Sequence, residues 1–323
     1  MNDNPKIIYV RVSENCNSRC FMCHYAGKHD SYNITMEQYY KLIEYIKTKK
    51  FETIRFTGGE PLLHRDILIF IKLAKNLGLK TSIITNGYLL KAMSRGLIEA
   101  GLDQCVISLD GSCSAVHDNL RNFDGCFNNI IFGIKELRKY NKSINIRINT
   151  VVSGKNIMDL TNIYKLLLKL QVNQWSIIPV KYKDKLWIPE SYKYYTEFQE
   201  NIKNNDDKRL EFLGDSKIFA GISNEEIYDT FNNNKRIKSK NICSVIDYVR
   251  FYIPDKNLLV PCNCIAHRLN QIPILLSGNM EDDCEIIRKW LKRNCFQCTG
   301  CEPLNVYIND NQEIMLDNEN IKY

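Results

Sequence analysis

Three cysteines near the start of the chain, Cys16, Cys20 and Cys23, stand at the spacing Cys-x3-Cys-x2-Cys. Thiolates are the usual protein ligands of iron–sulfur clusters, and a cubane takes one ligand per iron. Three local thiolates leave the fourth iron open to a substrate or cofactor. A structural zinc site on the same sulfurs would need a fourth ligand, for which His24 and His29 are the nominal candidates. Seven more cysteines follow late in the chain: Cys243, Cys262, Cys264, Cys284, Cys295, Cys298 and Cys301. Among them, Cys295-x2-Cys298-x2-Cys301 is a chelating spacing, because two intervening residues let both sulfurs reach one metal. A zinc ribbon is the plain alternative there. Cys105, Cys113 and Cys126 have no partner spacing, and Cys284 lies inside a helical pattern; free cysteines of this kind are commonly buried.

The background composition suits a metal or redox role. Thirteen cysteines is an odd count, and outside oxidising compartments clustered cysteines bind metal or do redox work more often than they form disulfides. No run of about 18 apolar residues is present, so a membrane span is not expected. The polar start, Met1 to Pro5, is no signal peptide, and a cytoplasmic location is the expectation. The net charge of +7 is carried largely by lysine and forms no dense stripe. It reads as a solvated surface more readily than as a nucleic-acid footprint. The basic stretch 232–240 has one apolar residue and no aromatic, so it is a loop rather than a base-stacking platform.

The elements that must position these groups alternate. Strand-like runs at 6–12, 53–56, 81–84, 105–109, 144–152 and 175–179 are separated by amphipathic helical patterns at 35–49, 67–77, 89–100, 127–140 and 158–170. Six strands with intervening helices imply a parallel sheet of right-handed βαβ units. In such sheets reactive groups gather at the carboxyl ends of the strands. The distinctive residues fall there: Cys16 after the first strand, Gly58-Gly59-Glu60 after the second, Asn86-Gly87 after the third and Asp110-Gly111 after the fourth. That is an active-site layout. Residues 181–240 lose the rhythm and read as a connector with a helix at 192–203; its Tyr182, Trp187, Tyr194 and Tyr195 could shape a substrate pocket or pack as core.

The three-cysteine spacing, with Met22 before the last cysteine, and Thr57-Gly58-Gly59-Glu60-Pro61 after the second strand resemble the radical S-adenosylmethionine (SAM) superfamily. The resemblance covers about residues 6–180 and implies a partial (β/α)6 TIM-like barrel of α/β class over residues 1–180. It implies a 4Fe-4S cluster on Cys16, Cys20 and Cys23 whose open iron chelates SAM, reductive cleavage to a 5′-deoxyadenosyl radical, and hydrogen abstraction from a C–H bond. It further implies SAM contacts from Met22, Gly58, Gly59 and Glu60, with Thr85, Ser108, Asn149 and Ser153 as candidates for the methionine carboxylate or ribose. Lys155 lies slightly away from the place where some relatives carry a basic residue. A flavodoxin- or ferredoxin-type electron donor follows from the same resemblance.

Residues 241–323 resemble the small, cysteine-rich auxiliary-cluster modules of such enzymes, the SPASM domain and its shorter twitch form. The shared features are a first cysteine, a hairpin ending in Pro261-Cys262, a Gly278-Asn279 turn, a helix with Trp290 and a closing Cys-x2-Cys. Asn257 stands near the place of the hairpin glycine, and the later cysteine run is truncated. The resemblance implies one auxiliary 4Fe-4S cluster on Cys243, Cys262, Cys295 and Cys298, with Cys301 able to replace either of the last two. Cys264 is then spare; it is a candidate hydrogen-atom donor, a ligand or an inert thiol. The expected reaction is dehydrogenation of a small polar, carbohydrate- or aminoglycoside-like molecule or of a peptide. Redox-neutral epimerisation and peptide maturation are the alternatives. A zinc-binding module that contacts nucleic acid is the rival from another class.

Overall fold

The computed structural model describes residues 6–23, 25–29, 32–180, 188, 190–204, 207, 209–213, 249–261 and 276–294. The expected alternation is present: β1 (Ile7–Ser13), α1 (Met36–Lys47), β2 (Thr53–Gly58), α2 (Ile67–Asn76), β3 (Lys80–Thr85), α3 (Leu90–Glu99) and β4 (Gln104–Ser108). There follow α4 (Ser114–Arg121), α5 (Cys126–Tyr140), β5 (Asn145–Val152), α6 (Leu160–Lys169), β6 (Gln174–Pro179), α7 (Ser191–Asn204) and β7 (Glu211–Leu213). The described part closes with β8 (Val249–Ile253), β9 (Leu258–Val260) and α8 (Met280–Asn294). The strands form one sheet in the order β7-β6-β5-β4-β3-β2-β1-β8-β9. Every neighbouring pair is parallel except β8 with β9.

Strand alternation sorts the two faces of this sheet. Ile8, Val10 and Val12 of β1, Ile54 and Phe56 of β2, and Ile146 and Ile148 of β5 are buried in the same core as Tyr39, Leu42, Ile43 and Ile46 of α1. Helix α1 starts on a capping box: the Thr35 hydroxyl accepts from Gln38 N–H at 3.2 Å and the Gln38 side chain accepts from Thr35 N–H at 2.9 Å. The opposite face is polar at the amino ends of the strands. There Arg55 donates to Tyr9 Oη (2.7 Å), Ser82 Oγ (3.1 Å) and Gln104 Oε1 (2.9 Å), and Gln104 donates onward to Asn145 and Gln174.

Three features depart from the sequence expectation. Helix α4 lies in a stretch rich in Ser, Asn and Asp with no clear apolar stripe. The three-residue β7 extends the sheet beyond β6, within the stretch read as a connector. Third, the hairpin within residues 241–323 also extends the main sheet: β8 runs parallel to β1, Tyr9 opposite Phe251, with the two rings stacked at 4.7 Å. Its turn ends on Asn257 at φ 46°, a left-handed conformation that asparagine tolerates better than most residues, so it fills the place of the glycine. Helix α8 packs Ile287 and Leu291 against β8 and β9. Its Cys284 is core, as expected.

Candidate functional site

The cysteine loop lies across the carboxyl ends of β2 and β3. Two short backbone bonds hold it there: Gly59 N–H to Ser13 O and Glu60 N–H to Asn15 O, each 2.7 Å. A Cβ on Gly58, whose φ is +142°, would lie 2.0 Å from Ser13 O, and one on Gly59 would lie 2.2 Å from Asn15 O. Both glycines are therefore required by the loop's own backbone.

Glu60 is buried, at 1% exposure. Its carboxylate accepts from Leu62 N–H (3.0 Å), Thr85 Oγ1 (2.7 Å) and Asn86 N–H (2.7 Å). Burial pushes its pKa up to about 7, against the pull of those donors. Thr85 accepts in turn from Gly87 N–H at 3.0 Å, and Asn86 Nδ2 donates to Asn17 Oδ1 in the cysteine loop at 2.8 Å. One polar network thus joins the ends of β2 and β3 to the residue beside Cys16.

Each sulfur meets a hydrogen-bond donor. The Ser18 backbone N–H serves Cys16, Arg121 Nη1 donates to Cys20 Sγ at 3.7 Å, and Tyr25 N–H lies 3.4 Å from Cys23 Sγ. The Ser18 hydroxyl, 2.9 Å from Cys20 Sγ, gives its one proton to Arg121 O. Cys16 and Cys20 are buried and Cys23 is exposed. Burial pushes the Cys16 thiol up to about 12, so a thiolate there requires bound metal charge. Among the described residues no three His, Cys, Asp or Glu side chains converge on a single metal ion, and His29 is exposed. A cubane asks for a wider spread, with one thiolate on each of three irons. Donor type, number and hydrogen bonding fit that cluster.

The remaining candidates are distributed around this loop. Met22 is half-buried in its turn, and neighbouring Phe21 is exposed with Lys155 Nζ 4.9 Å from its ring centre. Lys155, displaced in sequence, is thus brought to the cysteine loop. Ser108 and Asn149 are opposite each other on β4 and β5; Asn149 Oδ1 accepts from Arg147 Nε at 3.0 Å. Ser153 is buried in a turn, its N–H donating to Asn156 Oδ1 at 2.8 Å. Cys243, Cys262, Cys264, Cys295, Cys298 and Cys301 lie outside the described residues, as do Tyr182 and Trp187. Sequence reasoning missed Arg121, whose contact with Cys20 spans 101 positions and follows from no local pattern.

Residues 10–167 match the radical SAM superfamily. The chain carries a radical SAM domain. The cofactors of this domain are a 4Fe-4S cluster and SAM, and its fold is the partial TIM-like barrel of α/β class. The chain is similar to the probable GTP 3′,8-cyclase of Sulfurisphaera tokodaii, with 31% identity over 171 residues, 52% of this chain and 54% of that protein. It is similar to the AdoMet-dependent heme synthase of Oleidesulfovibrio alaskensis, with 30% identity over 53% of this chain and 45% of that one. The chain thus spans about half the length of these two curated relatives. The GTP 3′,8-cyclase of Nautilia profundicola is 27% identical over 88% of this chain and 89% of its own length. Among solved structures, Streptococcus suis SuiB bound to precursor peptide SuiA shares the fold at TM-score 0.68 and 14% identity, covering 92% of this chain and 67% of SuiB. The anSMEcpe structure with AdoMet and Kp18Cys peptide does so at TM-score 0.65 and 16% identity, covering 97% of this chain and 93% of the other. No helix among the described residues is long and apolar enough to cross a membrane.

Proposed function

We propose that this radical SAM enzyme abstracts a hydrogen atom from a C–H bond of a small polar or peptide substrate, with oxidation as the net outcome. The observation that carries the reading is the donor-supplied three-thiolate loop held against the Gly58–Glu60 turn. When bound, the cluster supplies the electron that splits SAM into methionine and a 5′-deoxyadenosyl radical. The chain's own residues do the positioning. Cys16, Cys20 and Cys23 hold the cluster. Gly58 and Gly59 keep the loop close to β2, while Glu60, Thr85 and Asn86 fix the strand ends beside which SAM's methionine part would bind. Met22, Ser108, Asn149 and Ser153 complete the proposed SAM-facing set, and Lys155 approaches it from the turn after β5. Cys243, Cys262, Cys295 and Cys298, or Cys301 in place of one of the last two, would hold an auxiliary cluster able to remove the second electron. A peptide substrate is favoured by the likeness to SuiB in its peptide-bound form. The coverage of the Nautilia cyclase favours a second reading, cyclisation of the substrate radical.

Anaerobic reconstitution with iron and sulfide, followed by dithionite and SAM, tests the proposal. We expect 5′-deoxyadenosine to form and iron to approach about eight atoms per chain, as two cubanes require. About four atoms would remove the auxiliary cluster, and zinc without SAM cleavage would remove the whole reading. Hydrogen return from Cys264 belongs to the redox-neutral alternative, epimerisation, and not to net oxidation. Deuterium uptake from heavy water that disappears in Cys264→Ala would favour that alternative, and unchanged turnover in the variant would dismiss Cys264 as donor.

A further inference from the structure

The cysteine loop rests on a buried cation. Arg121, in the last turn of α4, is 9% exposed, and its Nη1 lies 3.7 Å from Cys20 Sγ. Its backbone carbonyl accepts from Ser18 Oγ at 3.1 Å and from Arg19 N–H at 3.2 Å. One residue therefore meets the loop with both its main chain and its guanidinium. The guanidinium is itself anchored, with Nε 2.6 Å from Asp110 Oδ2 on a fully buried aspartate. The carboxylate oxygen lies off the N–H axis, so the contact is an ion pair rather than an aligned hydrogen bond. Asp110 Oδ1 accepts from Val151 N–H at 2.8 Å, and Asp110 N–H donates to His117 Nδ1 at 3.0 Å. Burial holds that imidazole neutral, with a pKa lowered to about 3. The charges facing Cys20 from this side are thus a near cation and a more distant anion. Cys16 and Cys23 are met by backbone N–H groups instead.

We propose that Arg121, held by Asp110, is a positioning residue that seats Cys20 on the cluster and sets the cluster's reduction potential. The inference rests on the radical SAM reading of the loop. Reduction adds one electron, taken from a one-electron donor, with no bond made or broken at Arg121 and no proton moved. A cation beside the sulfur stabilises the added negative charge, and burial limits the screening of that effect. A donor to the sulfur acts in the same direction, since net charge and hydrogen bonds to the sulfurs are among the levers on cluster potential. Asp110 opposes the effect from farther away. The two residues therefore have opposite signs: loss of the Arg121 charge makes the cluster harder to reduce, and loss of the Asp110 charge makes it easier.

An EPR-monitored redox titration of the reconstituted full chain, with iron content and far-UV circular dichroism as controls, tests this. The relevant signal is the one that changes on adding SAM. Arg121→Gln is expected to lower the reduced-to-oxidised ratio at fixed potential about tenfold, about 59 mV for one electron. Asp110→Asn is expected to raise it by a smaller factor, and Arg121→Lys to stay within about threefold of the wild type. Shifts of the same sign in Arg121→Gln and Asp110→Asn, or none in either with iron retained, would overturn the proposal. If Arg121→Gln cannot hold iron, Arg121→Lys decides: iron retained at a near-native potential supports the role, and iron lost again reduces Arg121 to a structural prop. A wild-type chain with no SAM-responsive cubane would instead sink the underlying reading of the loop.

Discussion

Two ionisable residues lie a few positions apart at opposite ends of β2. Arg55, near the amino end, is held by side chains from three other strands, Tyr9, Ser82 and Gln104. Glu60, just past the carboxyl end, is held by two backbone N–H groups and the Thr85 hydroxyl. The first arrangement knits strands together and can lose a member while the chain keeps its path. The second fixes where the backbone itself goes, and the cysteine loop is laid on that path by the Ser13–Gly59 and Asn15–Glu60 bonds. The amino end carries cross-strand bonding alone, whereas the carboxyl end also carries the cysteine loop.

The sharpest break in this contrast comes at the carboxyl end. Gly59→Ala places a methyl group 2.2 Å from Asn15 O, against backbone that cannot rotate away. The loop must shift by about an ångström, and 5′-deoxyadenosine formation should fall about 100-fold or more, with cluster iron lost in parallel. Glu60→Gln comes next. Its amide N–H2 group would face one of the backbone donors that Glu60 now accepts from, at a cost of about 1–3 kcal/mol; thermal unfolding and the KM for SAM should both record it.

The same residue carries a pH signature. Its folded pKa of about 7 lies above the ordinary 4.5. The folded state therefore binds the proton more tightly than the unfolded state. That stabilisation is fully present below about pH 4.5 and is lost as pH rises through 7. Melting of the cluster-free protein should drop between pH 5 and 8, and the drop should flatten in Glu60→Gln.

At the amino end, Arg55→Met should cost about 1–2 kcal/mol in urea unfolding while iron content and SAM cleavage remain near wild type. Loss of cluster iron in that variant would erase the distinction between the two ends. Asn17→Ala, which removes the single bond to Asn86, is the mildest change, at about 1 kcal/mol, and should appear as a several-fold rise in the KM for SAM.

Much of the architecture was legible because periodicity is local. The run Ile7 to Val12 alternates into two faces, and Tyr39, Leu42, Ile43 and Ile46 fall on one side of a helix, so residue order alone specifies β1 and α1. Cys16, Cys20 and Cys23 were legible because their ligand spacing lies within one loop. Other features depend on contacts between distant segments. Arg121 reaches Cys20 through a helix whose sequence has no apolar stripe, and β8 joins β1 across more than half the chain. Glu60 was placed at the right strand end, but its partners are backbone groups of Leu62 and Asn86, and backbone donors leave no trace in residue type.

Cys16, Cys20 and Cys23 are proposed to hold a SAM-binding 4Fe-4S cluster. The most direct test of this compares the wild type with the variant carrying Cys16→Ala, Cys20→Ala and Cys23→Ala, both reconstituted anaerobically and reduced. SAM should perturb the EPR signal of the wild type only, and the variant should lose about four irons together with all 5′-deoxyadenosine formation. A triple variant that still cleaves SAM, or a wild-type signal indifferent to SAM, would contradict the account.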